Sequence, residues 1–257
     1  MRIDFFEEYP TRENLAKLKR VRFPTTVYLA ATSIKEFHRL RKDVEASHRK
    51  AEAAYWPILK GSYWVSPLSP PAELRRLRDE LESRDKTEPL KVMLDLELPL
   101  PRDISLPNMF SFFRNKKRIR KLLDDAPRLN VTFLTAEYRT RSEKERRKWE
   151  LLGVSYPPRR HPTTPIVMLY TSMVKDATRL NEVRTHLAKR AREREKLQFG
   201  LGTIARGAMG DEPLLSAREL DRDLAYCEEH GIGTAVIFRL GGLNEGYLKV
   251  LRKHAKK

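Results

Sequence analysis

The chain has 257 residues, 40% of them hydrophobic and 9% aromatic, enough to build and fill a core, which excludes wholesale disorder. Its apolar runs reach only about eight residues, too short to span a bilayer, and the opening MRIDFFEEYP, with three acids, does not read as a signal peptide, so a cytoplasmic location is expected. Fifty-two basic residues against 35 acidic leave a net charge of +17, a balance that invites a polyanionic partner.

In chain order, short runs rich in β-branched and aromatic residues alternate with amphipathic stretches. The runs are RIDFF from Arg2, TVYLAA from Thr26, EAAYWPIL from Glu52, KVMLDLEL from Lys91, NVTFLTAEY from Asn130, PIVMLYTSM from Pro165, LQFGLGTIA from Leu197 and TAVIFRLGG from Thr234. The stretches between them predict helices. SIKEFHRLRKDVEA opens on Ser33 with Glu36 three residues on, a capping-box spacing. PPAELRRLRDELES places its prolines at a helix start, where they cost least. LSARELDRDLAYCEEHG opens on Ser216 with Glu219 three residues on and stops at Gly231, where a C′ glycine belongs. Thr11 to Lys19 and Glu143 to Leu151 predict short first and fifth helices. Eight strands and eight helices at roughly 32 residues per unit predict a single (β/α)8 barrel, a TIM barrel, over residues 1–257. An open doubly wound sheet is the alternative, and no G-x-G-x-x-G follows the first strand to support it.

Cys227 is the single cysteine and the six histidines are scattered, so neither a disulfide framework nor a cysteine or histidine metal cluster is expected. A high charged fraction, 16 prolines against 11 glycines and Gln198 as the sole glutamine are the composition of a thermophilic surface, a second source for the charge.

A TIM barrel gathers its chemistry at the C-terminal ends of its strands. Those ends supply Glu7 and Glu8, Tyr55 and Trp56, Asp95 and Glu97, Glu137, Tyr170 and Ser172, Gly202, and Arg239. In KVMLDLEL the alternation sends Leu94, Leu96 and Leu98 to the helices and Met93, Asp95 and Glu97 into the barrel. Two inward carboxylates on an otherwise apolar strand are expensive unless water, partners or chemistry justify them. On the eighth strand the same reading sends Val236, Phe238 and Leu240 outward and Ile237 and Arg239 inward, where Arg239 meets the acids. Tyr55, Trp56, Tyr63 and Trp64 lie within ten residues of one another. Aromatic faces beside carboxylates suit a carbohydrate, whose C–H faces are apolar and whose hydroxyls need acceptors. The expected substrate-binding residues are therefore Glu8, Tyr55, Trp56, Trp64 and Arg239.

The segment LDLELP, Leu94 to Pro99, resembles the end of the strand-4 signature of family 18 glycoside hydrolases, the chitinase-like barrels, where an acidic run closes on Asp-x-Glu-x-Pro. MLYTS from Met168 is similar to that family's Met-x-Tyr-Asp segment, and VTFLTAEY has a similar small-residue ending. The resemblance implies a retaining glycosidase with no protein nucleophile. Glu97 would be its general acid, Asp95 the orienting partner of that acid, and Tyr170 the support for the substrate's reacting acetamido group; Glu137, closing the fifth strand, joins this candidate catalytic set. The pattern departs from the family at Met93 and Leu90, which stand at acidic positions, at Thr171, where an acid follows the tyrosine, and at Arg239, near the place of a tryptophan. The third strand has no Ser-x-Gly-Gly.

Two other readings start elsewhere. Gly207 and Gly210 follow the seventh strand and Gly241 and Gly242 the eighth, where these barrels commonly hold phosphate on backbone N–H groups. With Glu8, Asp95, Glu97 and Glu137 as oxygen ligands for Mg2+, the chain would be a metal-dependent enzyme acting on a phosphate-bearing substrate. Separately, Asn108 to Arg128, Arg139 to Arg160 and Met173 to Lys196 carry +5, +5 and +4, most of the net charge. Helices four to six are neighbours in a barrel, so this charge would form one basic flank able to dock a polyanion or nucleic acid through phosphate contacts.

Overall fold

The computed structural model describes residues 1–99, 106–193 and 196–256. Eight parallel strands pair in chain order and close into a barrel, β8 returning to β1. They are β1 (Arg2–Glu7), β2 (Thr25–Ala31), β3 (Ala51–Pro57), β4 (Leu90–Asp95), β5 (Val131–Tyr138), β6 (Thr163–Met168), β7 (Gln198–Gly202) and β8 (Thr234–Phe238). Each strand is buried almost along its length, because its inner face fills the barrel and its outer face meets helices. The predicted TIM barrel is the observed fold.

The surrounding helices are α1 (Arg12–Ala16), α2 (Ile34–Ser47), α3 (Pro71–Ser83), α4 (Leu106–Phe110), α5 (Phe112–Asp124), α6 (Ala126–Leu129), α7 (Glu143–Leu152), α8 (Ala177–Arg192), α9 (Ala217–Glu229) and α10 (Glu245–His254). Their apolar stripes recur at helical spacing: Phe37, Leu40 and Val44 on α2, Leu74, Leu77 and Leu81 on α3. The start signals act as expected. Ser33 accepts from Glu36 N–H at 3.2 Å, and Ser216 and Glu219 form a reciprocal capping box. Pro71 opens α3, and Gly231 follows α9 at φ +70°, a left-handed position that glycine occupies without strain. The expected first helix is a single α-turn continued by a 3-10 turn over Lys17–Arg20, and the fourth helical layer is divided among α4, α5 and α6.

Two apolar cores result. Phe5, Leu29, Tyr55, Val92, Phe133, Val167, Phe199 and Ile237 pack outward beneath the helices. Phe6, Tyr28, Trp56, Met93, Leu134, Ile166, Met168 and Val236 fill the barrel interior. On β4 the expected faces hold, with Leu94 and Leu96 outward and Met93 inward. On β8 they are reversed: Val236 and Phe238 face in and Ile237 faces out. The run AVIF is apolar at every position, so alternation alone gives it no phase. Its register against β1, which pairs Phe238 with Phe6, supplies one.

Candidate active site

Strand ends and three loops enclose a cavity of about 330 Å³ at the C-terminal mouth of the barrel, lined by Glu8, Trp56, Trp64, Asp95, Glu97 and Tyr170 among others. That volume lies at the small end of the range for small-molecule sites. Six of the nine residues read from the strand ends and the aromatic loop as catalytic or substrate-binding therefore converge. The alternation of β4 places Asp95 inside, and Glu97 follows two residues later, partly exposed at the mouth.

The carboxylates sit in a poor environment for charge. Burial, reinforced by the neighbouring charges of Glu97 and Glu8, pushes Asp95 well above the usual carboxylate range. Burial also raises Glu97, to about 7, against the opposing effects of the Tyr138 hydroxyl and the Arg139 charge. Glu8 is raised by burial as well, offset in part by the Tyr63 hydroxyl, which donates to it. At neutral pH the Asp95–Glu97 pair therefore keeps a proton. Asp95 Oδ1 and Glu8 Oε2 are buried without a hydrogen-bond partner, as are the indole N–H groups of Trp56 and Trp149. Native structures leave few such atoms unpaired, and these face one cavity, which points to a polar ligand.

Aromatic rings form most of the wall. Trp56 meets Phe6 at 5.7 Å and Tyr63 at 6.4 Å between ring centroids, and Tyr63 meets Trp64 at 5.0 Å. The loop after β3 is held over the mouth because Val65 N–H donates to the Asp95 carbonyl at 2.9 Å. Opposite, Tyr138 packs on Trp149 at 4.8 Å and Tyr170 on Phe238 at 5.7 Å. Burial and the charges of Asp95, Glu97 and Glu8 push the Tyr170 phenol well up, so it remains an O–H donor at any physiological pH. Its neighbour Thr171 donates to Asp223, outside the site.

Three expected site residues lie elsewhere. Tyr55 is on the outer face of β3, its ring 5.3 Å from that of Phe37 beneath α2. Glu137 is on the outer face of β5, buried and bonded to the Thr135 hydroxyl (3.0 Å), the Ser155 hydroxyl (2.7 Å) and Tyr156 N–H (3.1 Å). It anchors the segment after α7 and does not line the cavity. Arg239 pairs with buried Glu7 at 3.1 Å, donates to the Arg206 carbonyl and lies over the Tyr9 ring. Glu7 also accepts from Tyr9 N–H and Gly241 N–H, so this ion pair ties the β1–β8 seam, and Arg239 does not line the cavity.

The phosphate and metal reading loses its geometry. Gly207 N–H donates to Glu212 and Gly241 N–H to Glu7, while Gly210 N–H and Gly242 N–H donate to the carbonyls of Gly207 and Arg239. Four N–H groups already bound cannot cradle a phosphate. Gly207 serves another purpose: a Cβ there would lie 2.8 Å from Glu8 Oε2 and 2.7 Å from the Phe238 ring. With Glu137 on the far side of the sheet, the four expected Mg2+ ligands, Glu8, Asp95, Glu97 and Glu137, do not meet. Among the described residues no three acidic, histidine or cysteine groups converge in a metal-binding arrangement.

The basic flank is uneven. Arg141, Arg146 and Arg147 around α7, and Arg184 and Lys189 on α8, engage carboxylates. Arg194 and Glu195 of the third basic segment lie outside the described residues. On α5, by contrast, Lys117, Arg120 and Lys121 have no carboxylate within ion-pair distance among the described residues, and they flank a groove with exposed Phe113.

Several pocket residues escape the sequence reading. Tyr138 and Phe238 share faces with small or apolar neighbours, and the inward Ala136 was the signal for Tyr138. Trp149 on α7 and Glu212 in the loop after β7 arrive from elements with no local mark of the site.

A scan of the sequence against protein-family models finds no match, and a search of curated proteins finds no relative. Solved structures do resemble it. The PgaB (BpsB) glycoside hydrolase domain from Bordetella bronchiseptica superposes with a TM-score of 0.65 at 13% identity, over 99% of this chain and 98% of that one. The chain shares its fold, a closed (β/α)8 barrel, with that domain. The C-terminal domain of a putative chitinase from Desulfitobacterium hafniense gives 0.61 at 12% identity, over 100% and 99% of the two chains. A chitinase from Chromobacterium violaceum gives 0.57 at 9% identity, over 100% and 99%. Identity this low speaks for the fold, and function has to be argued from the site.

Proposed function

We propose that the protein is a carbohydrate-active hydrolase that cleaves a glycosidic bond next to an N-acetylated sugar. One observation carries this reading: Asp95 and Glu97, both raised above the usual carboxylate range by burial, line an aromatic-walled cavity with no cation within ion-pair distance of either among the described residues. Glu97, raised to about 7, has the affinity a general acid needs near neutrality. It would deliver its proton to the glycosidic oxygen as the bond to the anomeric carbon breaks. The substrate's own acetamido oxygen would attack that carbon, with Asp95 and the Tyr170 hydroxyl holding the acetamido group. Water would then open the cyclic intermediate, returning a proton to Glu97 and retaining configuration. Trp56, Trp64 and Phe238 would offer the apolar faces, Phe238 occupying the place that the sequence resemblance assigned to Arg239. The names of the structural neighbours, a glycoside hydrolase domain and two chitinases, support a carbohydrate substrate.

The test is release of reducing ends from a panel of N-acetylated oligosaccharides, with product anomers followed by NMR. Retention by the wild type and no turnover by Glu97→Gln are the expected results. Turnover that survives in Glu97→Gln, or inversion of configuration, would overturn the assignment.

A second reading rests on α5, whose unmatched cations would dock a polyanion through sequence-independent phosphate contacts. Nucleic-acid binding that falls steeply with salt, and is lost on reversing Lys117 and Lys121, is its expected signature; binding that does not respond to salt refutes it.

A further inference from the structure

The cavity is not uniformly acidic. Its wall carries Glu8, Asp95, Glu97, Glu145 and Glu212, and with them the cations Arg139 and Arg179. Arg139 follows directly on β5, and Arg179 stands in the first turn of α8. The two lie close enough for each charge to act on the other. Neither has a carboxylate within ion-pair distance among the described residues, and Arg139 Nε is buried with no acceptor. The acids nearest Arg139 are otherwise engaged: Glu145 accepts from Arg141 N–H at 2.7 Å, and Glu97 is the proposed acid. Most other arginines around α7 and α8 have paired with carboxylates, so an unmatched arginine pair on the cavity wall is a local exception. Burial and the charge of Arg179 both act against the charged Arg139, beyond what Glu97 and Glu145 offset, a cost that an oxyanion between the two guanidiniums would remove.

We propose that the glycan bound here carries an oxyanion, a carboxylate or a phosphate, on the sugar at or next to the cleaved bond, and that Arg139 and Arg179 bind it. This rests on the glycosidase reading and narrows its substrate to acidic glycans. A neutral sugar face packs on Trp56, its acetamido group reaches Asp95 and Tyr170, and its anionic substituent points to the β5–α8 side of the mouth. Arg139 supplies the planar fork from a partly buried position, and Arg179, on the surface, closes over the ligand.

The experiment measures binding in the Glu97→Gln protein by calorimetry, so that turnover does not enter. The probes are a neutral chitotriose, an N-acetylated trisaccharide bearing a lactyl carboxylate, the same length bearing a 6-phosphate, and inorganic sulfate. At least one anionic sugar is expected to bind about tenfold more tightly than the neutral one, as charge-assisted hydrogen bonds allow. Which one binds better distinguishes carboxylate from phosphate. The preference should shrink in 0.5 M salt, and Arg179→Gln, an exposed position, should bring it close to one. Arg139→Lys keeps the charge but loses the fork, and should also lower the preference. Equal affinity for neutral and anionic sugars overturns the oxyanion site and leaves the glycosidase reading standing. Sulfate binding that Arg179→Gln abolishes, with no sugar bound, supports the anion site and removes the glycosidase reading. No binding of any probe removes both.

Discussion

Inward-facing acids occupy both ends of this barrel, and they are treated in opposite ways. At the bottom, Asp4 enters the lumen from β1 and is met by Arg2 at 3.0 Å and by Thr26 N–H at 2.6 Å. Arg2 in turn donates to the Thr26 hydroxyl at 2.7 Å and lies 3.6 Å from Glu52, which Lys91 also approaches. Every acid there has a cation and a donor. At the top, Asp95 and Glu8 each retain a buried oxygen with no partner, and Glu97 has no cation within ion-pair distance among the described residues. Burial raises Asp4 too, but its partners oppose the shift, whereas the neighbours of Asp95 are further carboxylates that add to it. A matched acid holds the fold together. An unmatched one is a cost the fold carries for a ligand.

The contrast predicts a separation of activity from stability. Glu97→Gln should lower kcat by about 10²- to 10⁴-fold, the scale of a lost general acid, while its unfolding midpoint stays at or above that of the wild type. A clear loss of stability in that variant would place Glu97 with the matched acids. Asp4→Ala should do the reverse. It strands Thr26 N–H in a buried position and leaves Arg2 without its carboxylate, at a cost of about 2–4 kcal/mol, seen as a lower denaturation midpoint with kcat/KM unchanged in the folded fraction.

The acidity of the mouth carries its own signature. As the proposed general acid Glu97 would have to hold a proton, so kcat/KM should be level in mild acid and fall above about pH 7. Glu8→Gln, by removing a neighbouring negative charge that helps to raise Glu97, should move that descending limb to lower pH. Stability follows the same group. The folded chain holds the Glu97 proton to about 7, above the ordinary value of 4.5. Its contribution is therefore complete below pH 4.5 and is lost as pH rises through about 7. Glu97→Gln cannot ionise, so above pH 7 its Tm should exceed that of the wild type by a few degrees; equal Tm values across pH 4 to 9 would contradict the shift.

The smallest expected effect concerns Glu137. Since its carboxylate binds Ser155, Thr135 and Tyr156 on the outer face of β5, Glu137→Gln should cost about 1 kcal/mol of stability and leave kcat/KM within twofold. A hundredfold loss of activity would return Glu137 to the site.

The residues whose facing the sequence places and those it does not place differ in a physical way. At the end of β4, Asp95 breaks an apolar run and Glu97 follows two residues on, and that spacing alone sets which side faces the lumen, so both are legible in the sequence. On β8 the run is apolar throughout, and the only polar landmark, Arg239, turns away to Glu7 because that buried acid needs a cation. On β5, Thr135 and Glu137 are polar but outward, satisfied by one another and by Ser155, so polarity there marks a buried network under the helices rather than the lumen. The glycines after β7 and β8 looked available for phosphate, yet the nearby carboxylates of Glu212 and Glu7 take two of their N–H groups.

Local chemistry thus wrote the architecture into the chain. Apolar period, caps and breakers act over a few residues, and eight repetitions of strand and helix leave a parallel barrel as the arrangement that buries them all. The acid pair at the end of β4 is written there too, because two carboxylates two residues apart beside an apolar run need no distant partner to be noticed. Which other residues join them depended on closure. Tyr138, Arg139, Trp149, Arg179, Glu212 and Phe238 come from β5, α7, α8, the loop after β7 and β8. Their common cavity exists because strand register sets which side chain enters the lumen and which neighbour has already claimed its hydrogen bonds.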